Sequence, residues 1–247
     1  MSSSLRARRR RLVLITAVSG AAAVLASTIA LTGTSGGPSA EKAPAASSSA
    51  SVPDEREASL LALARREAGD PLAKGKADAP VVMIVYSDFQ CPFCGKFARE
   101  TEPELVREYV DKGVLRIEWR NFPVFGDESE RAARAAWAAG QQGRFWQFHD
   151  VVFGKPRERN QGQFSAVRLR DMAREAGVAD LDRFGTDMES EAAGEAVNTD
   201  QEEGYGLGVS STPAFLVNTT PVLGAQPLTA FTVAVEKAAE EAGAAAR

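Results

Sequence analysis

The stretch Val81-Val82-Met83-Ile84-Val85-Tyr86-Ser87-Asp88-Phe89-Gln90-Cys91-Pro92-Phe93-Cys94 organises the whole chain. It opens, after Pro80, with an apolar run rich in Val and Ile, the pattern of a strand covered on both faces. It closes on the chain's only two cysteines, with two residues between them. Pro92 suits the first turn of a following helix, where its missing N–H costs nothing. A C-x-x-C pair at a strand-to-helix junction is the layout of a redox dithiol. Its two sulfurs close a small ring, so a disulfide can form and open without moving the rest of the fold. The first sulfur meets unpaired N–H groups and the positive end of the helix, which favour thiolate over thiol.

Three other chemistries use such a pair. Structural zinc needs four ligands, and the chain holds two cysteines and a single histidine, His149; no metal site is expected. Haem attachment needs His directly after the second Cys, where Gly95 stands. An inert disulfide staple would close a minimal loop and stabilise little. No P-loop, zinc-protease motif or G-x-S-x-G is present, and no cofactor is expected.

The N-terminus sets the compartment. Arg6 and Arg8 to Arg11 form a basic cluster (residues 1–11), and residues 12–31 carry no charge. Twenty such residues are long enough to span a bilayer and longer than an ordinary secretory h-region. The expectation is an uncleaved, single-pass signal anchor with the arginines in the cytoplasm and the rest outside. Cleavage would leave a secreted or periplasmic protein, and the Arg-Arg pairs also allow a twin-arginine signal. Outside, disulfides persist. Without its five N-terminal arginines the chain keeps 24 Lys+Arg against 33 Asp+Glu, a net −9. An acidic domain offers no footprint for nucleic acid.

Residues 32–53 are rich in Ser, Ala, Gly and Pro and read as a flexible linker. Residues 54–247 read as one domain. Asp54 caps an expected helix from Glu55 to about Ala68, with Leu60, Leu61 and Ala64 apolar. The helix after Pro92 runs towards Tyr109, kinked by Pro103 and ended by Gly113. Residues 114–122 alternate, with Leu115, Ile117 and Trp119 against Arg116, Glu118 and Arg120, and read as a second strand. A helical block fills about 127–204, with Ser165–Ala176 and Leu181–Glu191 as two of its helices. Gly204-Tyr205-Gly206-Leu207-Gly208 reads as a hinge. Ala214–Val217 and Pro221–Gly224 form a hairpin, and Leu228–Ala242 a closing helix. Asn218-Thr219-Thr220 matches a glycosylation acceptor but is explained by the turn. The order is an α/β pattern, a sheet interrupted by a helical insertion.

These residues carry a family resemblance from about Gly69 to Ala239. Tyr86 to Cys94, Arg120-Asn121-Phe122-Pro123, Ala138 to Trp146 and Ser211-Thr212-Pro213-Ala214-Phe215 occur in the order seen in the DsbA-like branch of the thioredoxin superfamily. The chain resembles its membrane-anchored bacterial form. The resemblance implies a thioredoxin fold with an inserted helical subdomain. It implies a cis bond before Pro213, with Thr212 and Pro213 facing the substrate chain. Cys91 would be the exposed, attacked sulfur and Cys94 the buried partner of a reversible disulfide. Pro92 and Phe93 would tune the thiol, Phe93 lacking the donor of the histidine found there in strongly oxidising relatives. Val85 stands where several relatives carry a buried acid. Asp88 either replaces that acid as proton carrier or is an exposed strand-end residue. His149 reads as a packed or surface helix residue, and Trp119, Trp137 and Trp146 as core.

The implied activity is a thiol–disulfide oxidoreductase that forms disulfides in exported proteins, as a monomer, with a membrane partner to re-oxidise it. The alternatives are a reductase or isomerase using the same site, or a tethered peptide-binding module.

Overall fold

The structure, a computed structural model, describes residues 55–245. The basic N-terminus, the anchor expected at 12–31, the linker at 32–53 and the Asp54 cap lie outside the described residues. Among the described residues no helix is long and apolar enough to cross a membrane.

Five strands, β1 (Ala73–Lys74), β2 (Val81–Ser87), β3 (Leu115–Asn121), β4 (Ala214–Val217) and β5 (Thr220–Leu223), form one sheet in the order β1-β3-β2-β4-β5. β2 and β3 run parallel; the other pairings are antiparallel. Every residue of β2 is buried, as its unbroken apolar run requires. Because successive side chains point to opposite faces, Val81, Met83 and Val85 join Phe97, Phe215 and Phe231 on one side. Val82, Ile84 and Tyr86 pack with Phe122, Ala214 and Leu216 on the other.

The parallel crossover from β2 to β3 starts with helix α2 (Pro92–Glu100). The expected kink is a break: the helix stops at Thr101 and resumes as α3 (Glu102–Leu105) and a π-helical turn, Val106–Val110. Pro103 has no N–H to give to the turn before it. Five helices then lie between β3 and β4: α4 (Asp127–Gly140), α5 (Phe145–Phe153), α6 (Ala166–Glu175), α7 (Leu181–Glu189) and α8 (Glu191–Gly206). The single helix expected at Leu181–Glu191 ends at Glu189, and the Ser190 hydroxyl accepts from the Ala193 N–H to cap α8. The closing helix, α9, runs Leu228–Ala245.

Two further expectations need correction, the length of the first helix and the glycine hinge. The first helix, α1, spans only Glu55–Leu61, not to Ala68. Its continuation peels off because the Arg65 and Arg66 N–H groups each donate to the Glu118 carboxylate at 2.9 Å, with Arg66 at φ 50°. The second strand stands as expected, and its polar residues are covered too: Arg116, Glu118 and Arg120 are as buried as their apolar neighbours. Glu118 accepts from Arg116 at 2.8 Å and from Arg120 at 3.2 Å, and Arg120 also donates to Glu203. The glycine hinge is no hinge at its start. Gly204 lies inside α8, where a Cβ would stand 2.6 Å from the Phe122 ring; glycine is there for close approach. Gly208, at φ 80°, is where the chain turns away from the helix.

Asn218 turns the hairpin at φ 49°. Its side chain accepts from the Val82 N–H at 2.8 Å, which gives the acceptor-like sequence a structural job.

Candidate active site

The central strand β2 delivers Asp88 to Cys91 just beyond its C-terminal end. Phe89, Cys91 and Cys94 share a core cluster with Trp119, Phe148, Val152 and Phe153. The Asp88 carboxylate shapes this corner. It accepts from the N–H groups of Gln90 and Val124 and the Ser129 hydroxyl, each at 2.7 Å, and from the Phe125 N–H at 3.3 Å. Asp88 is therefore buried, not the exposed strand-end residue that was one of its two readings. Burial pushes its carboxyl up and these donors pull it back only in part.

Cys91 is the N-cap of α2, with extended backbone (φ −75°, ψ 120°), and Pro92 opens the helix. The pair is present as two thiols. Cys91 Sγ accepts from the Cys94 N–H at 3.4 Å and donates to the Thr212 carbonyl at 3.3 Å. The Thr212–Pro213 bond is cis, and the loop it belongs to leads into β4 beside β2. Chain segments far apart in sequence thus meet at one sulfur.

The two thiols are driven apart in acidity. Cys91 is lowered to about 6, first by the hydrogen bond with Cys94, then by Thr212 and the N–H groups of Cys94 and Phe93, with burial opposing. Cys94 is pushed well up, by burial first and by the neighbouring Cys91 next. A sulfur that is thiolate near neutral pH is both nucleophile and good leaving group. A neighbour that stays protonated keeps the pair from carrying two charges.

The other singled-out residues fall as follows. Cys91 is 3 % exposed, as buried as Cys94 at 2 %, so the freely exposed sulfur that the resemblance implied is not what stands here. It is reached through a small cavity of about 60 Å³ which it lines with Phe89, Arg99, Phe153, Lys155 and Arg157. Phe93 is 63 % exposed and forms open surface at the helix start. The Thr212 hydroxyl is buried without a hydrogen-bond partner among the described residues. His149 is packed against Phe89, Trp119 and Trp146 and faces Asp150 at 2.9 Å and Glu102 at 3.5 Å. A larger cavity of 420 Å³, lined by Lys74, Glu102 and Arg107 among others, contains neither cysteine.

Sequence reasoning missed Gln90. Its side chain donates to Ser129 at 2.9 Å and Asn160 at 3.1 Å, and accepts from the Asn160 N–H at 2.7 Å. It ties the loop after α5 to the residue before the first cysteine. Its place in the opening stretch was the available signal; Asn160 carried none.

A family model described as Thioredoxin matches residues 67–237. The probable disulfide bond formation protein D of Bacillus cereus is 31 % identical over 58 % of this chain and 68 % of its own length. The Na(+)/H(+) antiporter NhaA 1 of Salinispora arenicola is 32 % identical over 67 % of this chain, but the match spans only 24 % of that protein. Among solved structures, oxidised BdbD from Bacillus subtilis superposes with a TM-score of 0.65 at 24 % identity, covering 70 % of this chain and 94 % of that one.

Proposed function

The chain belongs to the thioredoxin family and is a thiol–disulfide oxidoreductase, and from that premise we propose that it forms disulfides in exported proteins through Cys91 and Cys94. The observation that carries this is the split within the dithiol, Cys91 lowered and Cys94 raised, at the start of α2 beside the Thr212 carbonyl.

In the oxidised enzyme a substrate thiolate attacks Cys91 Sγ. The Cys91–Cys94 bond breaks, its electron pair leaves on Cys94, and Cys94 takes a proton. A second substrate thiolate attacks the substrate sulfur of the mixed disulfide and expels Cys91 as thiolate. Two substrate thiols become one disulfide; two electrons and one proton, on Cys94, reside on the enzyme, and the second proton goes to solvent. The stable Cys91 thiolate favours the reduced enzyme and so makes its disulfide the stronger oxidant. The electrons then pass to a re-oxidising partner in the membrane.

The site of action outside the cytoplasm rests on the basic cluster and the uncharged residues 12–31. We read that segment as an anchor that holds the catalytic domain close to the exported chains it serves. The test is oxidation of a reduced two-cysteine peptide by the oxidised full chain. Cys91→Ser should abolish it, and Cys94→Ser, mixed with the oxidised form of the peptide, should trap a mixed disulfide through Cys91 as the peptide disulfide opens. Peptide oxidation that survives Cys91→Ser would sink the assignment.

A further inference from the structure

The cavity beside Cys91 has an unexpected charge. Arg99, Lys155 and Arg157 line it and no carboxylate does, on an exported part that is net −9. Among the described residues none of the three cations takes part in an ion pair. Arg99 donates to the Phe153 carbonyl at 2.7 Å, and Arg157 to the carbonyls of Val152, Lys155 and Val151. Those bonds close the end of α5, which is a structural role. Carbonyl dipoles do not neutralise a guanidinium, however, and each guanidinium has five donors. Arg157 is half-buried, and burial works against its charge; Glu175 supports it from beyond ion-pair distance but does not outweigh burial. Lys155 makes no side-chain hydrogen bond among the described residues.

The wall that carries these cations is fixed in place. Gln90 holds Asn160 through two hydrogen bonds. Glu128 accepts from the N–H groups of Gly162 and Phe164 at 2.8 and 3.0 Å. Its space of about 60 Å³ is roughly that of two waters, enough for a carboxylate and too small for a second chain.

We propose that this cavity binds the carboxylate of a Glu or Asp standing next to the reacting cysteine of the substrate polypeptide. The inference rests on the oxidase reading and adds a sequence preference to it. When the substrate sulfur is bonded to Cys91 Sγ, at about 2.05 Å, the next residue's Cα is about 3.8 Å from the cysteine's own. Its side chain then reaches the cavity that Cys91 lines. The cations pair with a group that the acidic remainder of the domain would repel.

The test uses two peptides of identical composition, one with Glu beside its cysteine and one with that Glu exchanged for a remote Gln. Rates with the oxidised full chain are divided by rates with bis(2-hydroxyethyl) disulfide, which removes the effect of Glu on the thiol itself. The adjacent-Glu peptide should react faster on the order of tenfold at low salt, the scale of local charge focusing, with the advantage shrinking as salt is added. The doubly substituted Lys155→Gln, Arg157→Gln chain should bring the ratio near one. Lys155→Glu, at an exposed side chain with no hydrogen bond to lose, should lower it severalfold if the double variant does not fold. A wild-type ratio of one, or a ratio that survives these substitutions, overturns the carboxylate site and leaves the oxidase reading standing. No reaction with either peptide overturns both.

Discussion

Cys91 Sγ and the carbonyl oxygen of Thr212 lie 3.3 Å apart, although 121 residues separate them in the chain. The same Thr212 carries a buried hydroxyl with no hydrogen-bond partner among the described residues, and it contributes to lowering the Cys91 thiol. A buried donor without a partner is costly, and an adjacent thiolate is the acceptor it lacks. Thr212→Val should therefore raise the Cys91 thiol while leaving the fold at least as stable. Ultraviolet titration of the thiolate, with urea unfolding of the same variant, checks both halves.

The acidity of Cys91 makes the stability of the reduced protein depend on pH. The group ionises at about 6 when folded and at about 8.5 when unfolded. A lowered folded value contributes stability that is complete above the unfolded value and is lost as pH falls through the folded one. The oxidised protein has no such titration. Reduced minus oxidised stability should thus climb by a few kcal/mol between about pH 6 and 8.5. Denaturant unfolding of both forms across that window measures it, and a flat difference would contradict the thiolate.

The Phe93 N–H helps to lower the Cys91 thiol, while its ring stands 63 % exposed. Phe93→His should be tolerated by the fold and add a donor at the helix start. The Cys91 thiol should drop further and the reduction potential become more oxidising, read by equilibrium with a glutathione buffer. An unchanged potential would remove Phe93 from the tuning set.

The carboxylate of Glu118 is fully buried and holds Arg116, Arg120 and the N–H groups of Arg65 and Arg66. Burial pushes it up, but these partners outweigh burial and leave it low. Removing one member of a buried charge network costs about 3–5 kcal/mol because its partners stay buried and unpaired. Glu118→Ala should lower the urea midpoint accordingly without altering peptide oxidation by the folded fraction. A cost as small as that of a surface substitution would contradict the packing of the 62–66 segment on the sheet.

The parts of this fold that could be read from sequence share one property: a local pattern with one physical meaning. The unbroken run Val81–Tyr86 became a strand buried on both faces. Pro92 sits where a helix tolerates it. The alternation of β3 revealed a strand but not that its polar side is covered as well, by charged partners from the 62–66 segment and α8. Gly204 misled for a similar reason: a glycine that makes room for Phe122 looks the same as one that makes a hinge. At the site, the two cysteines and Thr212-Pro213 were visible as motifs. The burial of Cys91, the anchoring role of Asp88 and the three cations around the sulfur were not. Each depends on how distant elements come to rest against the dithiol, the turn into α4 for Asp88 and the end of α5 with its following loop for the cavity, which no local pattern specifies.

The central claim is that this dithiol gives disulfides away. Trapping the thiols of growing cells with acid and alkylating the full chain reads the redox state of Cys91 and Cys94 directly. An oxidase held ready by its partner should be found largely as the Cys91–Cys94 disulfide. A pair found largely as two free thiols would contradict the account and point to reduction or isomerisation by the same atoms.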